Sequence, residues 1–286
     1  MIKRKFGWTN IDVPIIGQGT WLIDNDNDSR AIETLQLGLD LGMSHIDTAE
    51  MYGNGKVEEL VGHAISGRKR DDIFLTSKVL PSNASYEGTI RACKNSLKRL
   101  KTDYLDLYLL HWPSYQHPIT ETMKAMEKLV SENLVKFIGV SNFSLNELQK
   151  AEQVLQNERI ACNQVLYNLG YRVIEKRILP YCAKQEIAVV GYSPFGHGNF
   201  YSSQSTKGKV LEEIASRHHG HTPRQVALRF LSLKSNVFTI PKTIHPQRVR
   251  ENIQSIDKNW SLTEKDIEEL DKVFPVLDMD DPLEMI

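Results

Sequence analysis

The chain has 286 residues, a formal net charge of −1 and 41% hydrophobic residues. A near-neutral chain is a poor general binder of nucleic acid or of membrane surfaces. At this length it can bury a large core without disulfides or metal, and barrels of roughly 250 residues run as one domain. The three cysteines, Cys93, Cys162 and Cys182, form no C-x-x-C pair, and their odd number and wide spacing read as buried free thiols of a reducing compartment. The start, MIKRKFGWTN, has basic residues but no apolar run behind them, so it does not read as a signal peptide. No stretch approaches the roughly 18 apolar residues of a membrane span. The expectation is a cytoplasmic monomer that binds neither nucleic acid nor membrane.

In chain order, Met1 to Pro14 reads as a short hairpin plugging one end of the fold, with a turn at Asn10-Ile11-Asp12. Apolar runs of strand length then alternate with amphipathic helical stretches. The runs are IIGQGTW from Ile15, HIDTA from His45, IFLTSK from Ile73, DLYLLHW from Asp106, VKFIGVSN from Val135, CNQVLYN from Cys162, AVVGYSPF from Ala188 and VFTIPK from Val237. Helical segments include RAIETLQLGLDLG, TIRACKNSLKRL and NELQKAEQVL. Eight strands with helices between them point to a parallel sheet closed as an α/β, (β/α)8 TIM barrel forming one domain over residues 1–286. The rival, an open doubly wound sheet, would show G-x-G-x-x-G after its first strand, but Gly17-Gln18-Gly19 is followed by Thr20-Trp21. An additional helix is expected at TPRQVALRFLSLK, with Thr222 as N-cap and Pro223 at the first helical position. A last helix opens at SLTEKDIEELDKVF, where Thr263 and Asp266 approximate a capping box, and a short acidic tail follows.

Polar or aromatic residues close run after run: Trp21, Asp47, Lys78, His111, Asn142, Gln164, Tyr192 and Lys242. Any one of them is unremarkable at a strand-to-loop junction, and Lys78 alone would read as an ordinary salt bridge. Eight together fit a barrel whose site is built at the carboxyl ends of its strands. Asp47, Tyr52, Lys78 and His111 suit one task, giving a proton to a carbonyl that receives a hydride. The developing oxyanion needs a proton donor and fixed dipoles. Tyrosine starts near pKa ~10, and a neighbouring ammonium lowers that value. Lys78 supplies the ammonium, Asp47 holds it protonated, and His111 orients the carbonyl oxygen or relays a proton. At the other end of the chain, Lys242-Thr243 closes the last strand, and Pro246-Gln247-Arg248 opens a helix whose N–H groups favour an anion such as phosphate.

The segments GMSHIDTAEMYGNGKVEELVG, the Lys78 junction, LLHWP, GVSNF and IPKTIHPQRVRENI resemble, in order, the motifs of the aldo-keto reductase superfamily. The resemblance runs from about Ile15 to Phe274. It implies a (β/α)8 barrel that reduces aldehydes and some ketones with NADPH, without metal, on Asp47, Tyr52, Lys78 and His111. It places the adenosine 2′-phosphate near Lys242, Thr243 and Arg248, and the adenine near Glu251 and Asn252. Tyr192 is to stack on the nicotinamide, and Ser141, Asn142 and Gln164 are to bind its carboxamide. Ser193 and Phe195 lie along the pyrophosphate, and Gly19, Thr20 and Trp21 line the nicotinamide half. The carbonyl pocket would gather Trp21, Met51, Tyr52, His111 and Trp112, with Phe200 and Tyr201 from a loop. Leu80 replaces an aromatic residue common in the family, and the tail is shorter than in mammalian members; both departures imply a wider mouth.

His218, His219 and His221 lack the spacing of paired metal ligands on a helix and read as a solvated helix end. Three other functions fit parts of the pattern. A strand lysine can be the Schiff-base nucleophile of an aldolase, although an aldolase needs no basic Lys242–Arg248 pair. A non-catalytic barrel could keep the cofactor as a redox sensor. The same machinery could also run in the oxidative direction.

Overall fold

The computed structural model describes residues 1–25, 27–198, 200–218, 220–277, 283 and 285; most of the acidic tail, and His219, lie outside the described residues. The chain opens with an antiparallel pair, β1 (Lys3–Lys5) and β2 (Asp12–Pro14). Eight strands follow: β3 (Gln18–Gly19), β4 (His45–Asp47), β5 (Phe74–Val79), β6 (Leu105–Leu110), β7 (Val135–Ser141), β8 (Ile160–Leu166), β9 (Ala188–Tyr192) and β10 (Val237–Thr239). They pair in parallel, each with its neighbour in sequence. The first and last also meet, through parallel bridges Ile16–Thr239 and Gly19–Lys242. Backbone hydrogen bonds from Gly17 to Thr239 (2.8 Å) and from Thr239 to Ile15 (2.9 Å) seal that seam, and closure leaves no unpaired edge. The regular part of β3 is shorter than the run Ile15–Trp21 suggests, because its other contacts with β10 are bridges and single hydrogen bonds.

The helices are α1 (Asp28–Asp40), α2 (Lys56–Ile65), α3 (Tyr86–Leu100), α4 (Ile119–Ser131), α5 (Leu145–Val154), α6 (Ile178–Lys184), α7 (Thr206–Arg217), α8 (Pro223–Leu231), α9 (Pro246–Gln254) and α10 (Glu264–Val273). Six of them start at a side-chain cap that the sequence supplies. Asn27 caps α1, and Ser144 and Glu147 form a reciprocal box on α5. The expected caps of the two late helices are present as well: Thr222 with Gln225 on α8, and Thr263 with Asp266 on α10. Each such box satisfies N–H groups that the first turn of a helix leaves without a partner.

Alternation along the strands divides the core in two. Phe74, Leu107, Leu109, Phe137, Cys162, Val190 and Phe238 join one apolar cluster inside the barrel. Leu75, Val79, Tyr108, Leu110, Val140 and Val189 join a second, between sheet and helices. The hairpin stoppers the amino-terminal end: Phe6 is fully buried, with its ring 4.8 Å from Phe74 and 4.9 Å from Phe238. Its connection is a short 3-10 turn at Gly7–Thr9 with Asn10 left-handed, one step earlier than Asn10-Ile11-Asp12 suggests. The position is fixed by docking, since the Trp8 N–H bonds Glu186 O at 2.7 Å and Trp8 Nε1 bonds Ile160 O at 2.8 Å. Among the described residues no helix is long and apolar enough to cross a membrane. All three cysteines are buried free thiols.

One polar group sits in the stoppered end. His45 is completely buried beside Phe6 and Phe74, and neither ring nitrogen has a hydrogen-bond partner. Burial pushes its pKa down to about 4. The folded state therefore takes up the proton later than the unfolded chain, whose histidine titrates near 6.5. The stability held by neutral His45 is present above pH ~6.5 and lost as pH falls from ~6.5 to ~4, by about 3 kcal/mol in all. Urea unfolding at pH 7 and pH 4.5 should show a smaller acid loss in His45→Gln than in the wild type; equal losses would mean that His45 is hydrated or already paired.

Candidate active site

Every second residue of a strand faces the barrel interior, and the last such residue of each strand reaches the carboxyl-terminal mouth. On β5 the interior series is Phe74, Thr76, Lys78. On β4 it is His45, Asp47, and on β6 it runs Leu107, Leu109 and then His111 just beyond the strand. The register sets Lys78 beside Leu109 and Thr76 beside Asp47. Sequence-distant polar residues thereby come to one level.

At that level the four residues meet. Lys78 Nζ donates to Asp47 Oδ1 at 2.6 Å, to Thr48 O at 2.8 Å and to the Tyr52 hydroxyl at 3.1 Å. Its side chain is fully buried and that of Asp47 is 2% exposed. Asp47 is itself anchored: Gln164 Nε2 donates to its Oδ2 at 2.7 Å, and Thr20 Oγ1 donates to its backbone carbonyl at 2.8 Å. The Tyr52 ring centroid stands 5.6 Å from His111 and 4.8 Å from Trp21, and the His111 ring lies 4.8 Å from Trp112.

Burial and charge oppose each other at the phenol. Burial is the larger influence and holds the Tyr52 pKa above its ordinary value, while Lys78 pulls it down. The expectation of a net lowering by Lys78 is thus corrected: desolvation of the phenolate outweighs the ammonium. Burial likewise disfavours the Lys78 cation, but Asp47 and Tyr52 overcome it and raise the ammonium's pKa. His111 is pushed well below the ordinary histidine range by burial and then by Lys78, so it is a neutral imidazole at pH 7. Its Nδ1 is buried without a partner, and its backbone carbonyl accepts from Asn142 Nδ2 at 3.1 Å.

The next strand ends form a second group. Ser141 Oγ donates to Gln164 O at 2.9 Å, and the Tyr192 hydroxyl donates to Asn142 Oδ1 at 2.8 Å. Asn142 and Ser193 adopt left-handed backbone, φ 61° and 49°, which is strained for residues with a Cβ. Gly19 packs so closely on the Ile240 carbonyl that a Cβ there would collide with it. Across the seam, exposed Lys242 and Arg248 make no ion pair among the described residues, and the first turn of α9 carries no acid. The Thr243 hydroxyl accepts from the His245 N–H, Glu251 is half-buried and Asn252 is buried. Uncompensated cations at a helix start beside a polar shelf are the donor set of a phosphate-bearing dinucleotide, so these residues fit NADP(H).

Trp21, Met51 and Trp112 are half-buried around the mouth, and Leu80 lies beside it. Phe200 meets Phe195 edge-on, and Tyr201 packs on Phe274, in the loop after β9. In the tail, Leu283 and Met285 line a cleft with Trp112, Tyr115, Asn142 and Glu147. His218 and His221 are engaged elsewhere, by Asp266 at 2.8 Å and by stacking on Trp260. Two residues lay outside the sequence reading. Glu50 Oε1 accepts from the Leu80 N–H (2.7 Å) and Asn83 Nδ2 (3.0 Å), tying the Tyr52 loop to the loop after β5. Arg224 lies beside Phe195 and Phe200. A carboxylate three places after Asp47 gives no sequence signal for its role, but an arginine in the first turn of a helix does, because the dipole there disfavours it.

Residues 15–274 match the model of the aldo/keto reductase family. The chain is 40% identical over 268 residues to the methylglyoxal reductase YeaE of Escherichia coli, covering 93% of each chain. It is 36% identical over 265 residues to the glyoxal reductase of Bacillus subtilis, covering 91% of this chain and 89% of that one. A crystal structure of an aldo-keto reductase from Klebsiella pneumoniae in complex with NADPH superposes over the whole of both chains, with a TM-score of 0.91 and 36% identity. The chain therefore belongs to the aldo/keto reductase family, and is an NADP-dependent oxidoreductase.

Proposed function

We propose that this protein reduces small aldehydes and some ketones to alcohols with NADPH, with Tyr52 as the general acid. α-Oxoaldehydes come first among the substrates, since the similar proteins of E. coli and B. subtilis are named for methylglyoxal and glyoxal. The observation that carries the reading is the Tyr52 hydroxyl at 3.1 Å from an ammonium that Asp47 holds at 2.6 Å.

When bound, the reduced nicotinamide supplies a hydride to the carbonyl carbon. The residues of this chain do the rest. His111, neutral and facing Tyr52, orients the carbonyl oxygen. As that oxygen gains charge, Tyr52 passes its proton to it, and Lys78 stabilises the phenolate left behind; solvent then restores the proton. Burial keeps the Tyr52 proton in place until the oxyanion calls for it. Asp47 prevents Lys78 from becoming a neutral amine. Trp21, Met51 and Trp112 give the carbonyl an apolar surround. Lys242, Thr243 and Arg248 hold the 2′-phosphate, Glu251 and Asn252 the adenine, and Ser193 and Phe195 the pyrophosphate. Ser141, Asn142 and Gln164 would hold the carboxamide, Tyr192 would stack on the nicotinamide, and Gly19 and Thr20 would lie near the nicotinamide half.

Tyr52→Phe should bind NADPH as the wild type does and lose roughly 10²–10⁴-fold in kcat on methylglyoxal, the usual worth of a general acid. Turnover within a few-fold of wild type would move that role to His111. Asp47→Asn should lose about 3–5 kcal/mol of stability by urea unfolding, because it strands a buried cation. The Asp47→Asn/Lys78→Met double variant should recover most of that loss. A single-variant loss under about 1 kcal/mol would mean that Lys78 is held by Thr48 and Tyr52 without Asp47.

A further inference from the structure

Arg224 stands at the second position of α8, where the helix dipole opposes a cation. It is half-buried, and its guanidinium carbon lies 4.6 Å from the Phe200 ring centroid and 5.3 Å from that of Phe195. Those two rings, in T-shaped contact at 5.8 Å, belong to the loop that follows Tyr192. Arg224 forms no ion pair or side-chain hydrogen bond among the described residues. Its neighbours in charge are Arg248, which acts against it, and Glu251, which acts for it; burial is the larger effect, and the net result lowers its pKa. α8 and α9 are joined there by Gln225 Nε2 donating to Glu251 O at 3.0 Å.

A guanidinium held over aromatic rings still has N–H donors free for an anion. Here the rings hold the group, the dipole and Arg248 disfavour its charge while Glu251 favours it, and no described residue bonds its donors. An anion lying between Arg224 and Arg248 would relieve both penalties and use both sets of donors.

We propose that Arg224 is a second 2′-phosphate cation and couples that contact to the loop, so that holding the phosphate of NADPH also holds Phe195 and Phe200 over the dinucleotide. This rests on the NADPH reading above. It assigns a specificity-determining and positioning role to a residue on α8, a helix whose apolar side chains pack the core.

The test is titration of wild type, Arg224→Ala, Arg224→Leu, Arg224→Lys and Arg248→Ala with NADPH and with NADH, read by protein fluorescence, with release rates from stopped flow and thermal melting in parallel. Arg224→Leu keeps an apolar side chain against the two rings and so separates charge from packing. Arg224→Ala and Arg224→Leu should each weaken NADPH about tenfold, mostly through faster release, and NADH by less than about twofold. Arg224→Lys should fall between them and wild type. In the Arg224→Ala/Arg248→Ala double variant the NADPH losses should be less than additive, because one anion is shared. Unchanged NADPH affinity in Arg224→Ala, or equal weakening of both cofactors, overturns the proposal and leaves Arg224 a loop-packing residue. Wild type that fails to bind NADPH at all sinks the reductase reading itself, a different result from the first two.

Discussion

A lysine ammonium sealed from water is tolerated only if something holds its charge. In this barrel that constraint organises the mouth. Lys78 is fully buried, and its three donors are spent on a carboxylate, a carbonyl and a phenol. The carboxylate must then be held in turn, which Gln164 does from β8, three strands away from β5 around the sheet. Thr20 ties the same residue to the start of the barrel. One ion pair thus links β4, β5, β8 and the residue that follows β3, and Tyr52 receives its hydrogen bond as the last member of that chain.

Strand geometry makes this possible. A two-residue period sends Phe74, Thr76 and Lys78 to one face, and Leu75, Ser77 and Val79 to the other. The outward face has its own buried charge: Ser77 donates to Glu58 of α2, which also pairs with Arg99 at 2.6 Å. The inward face is apolar near the hairpin stopper and polar at the mouth. The same strands that fill the barrel floor with Phe6, Phe74 and Phe238 therefore deliver Asp47, Lys78 and His111 at the other end, with no residue required to leave its strand direction.

Much of this was legible from the chain. The eight strands, the caps at Thr222 and Thr263, and the meeting of Asp47, Tyr52, Lys78 and His111 follow from run length, turn residues and strand-end polarity. The hairpin turn and the shortness of β3 were not legible, because both are set by docking on Glu186, Ile160 and Thr239, which no local pattern encodes. The sign of the Tyr52 shift also escaped, since it depends on how much water the fold removes rather than on which charges are nearby. Glu50 and Arg224 act through partners distant in sequence, and only the folded chain brings those partners near.

In the proposed mechanism Lys78 serves as a held charge rather than as a nucleophile. An ammonium whose pKa is raised by Asp47 and Tyr52 is a poor amine. The direct measurement is borohydride treatment of the protein with an aromatic aldehyde, followed by peptide mass analysis at Lys78, alongside NADPH absorbance loss on the same aldehyde. The proposed mechanism predicts no substrate-dependent mass increase at Lys78 together with steady NADPH oxidation. A stable adduct at Lys78 without NADPH turnover would contradict it.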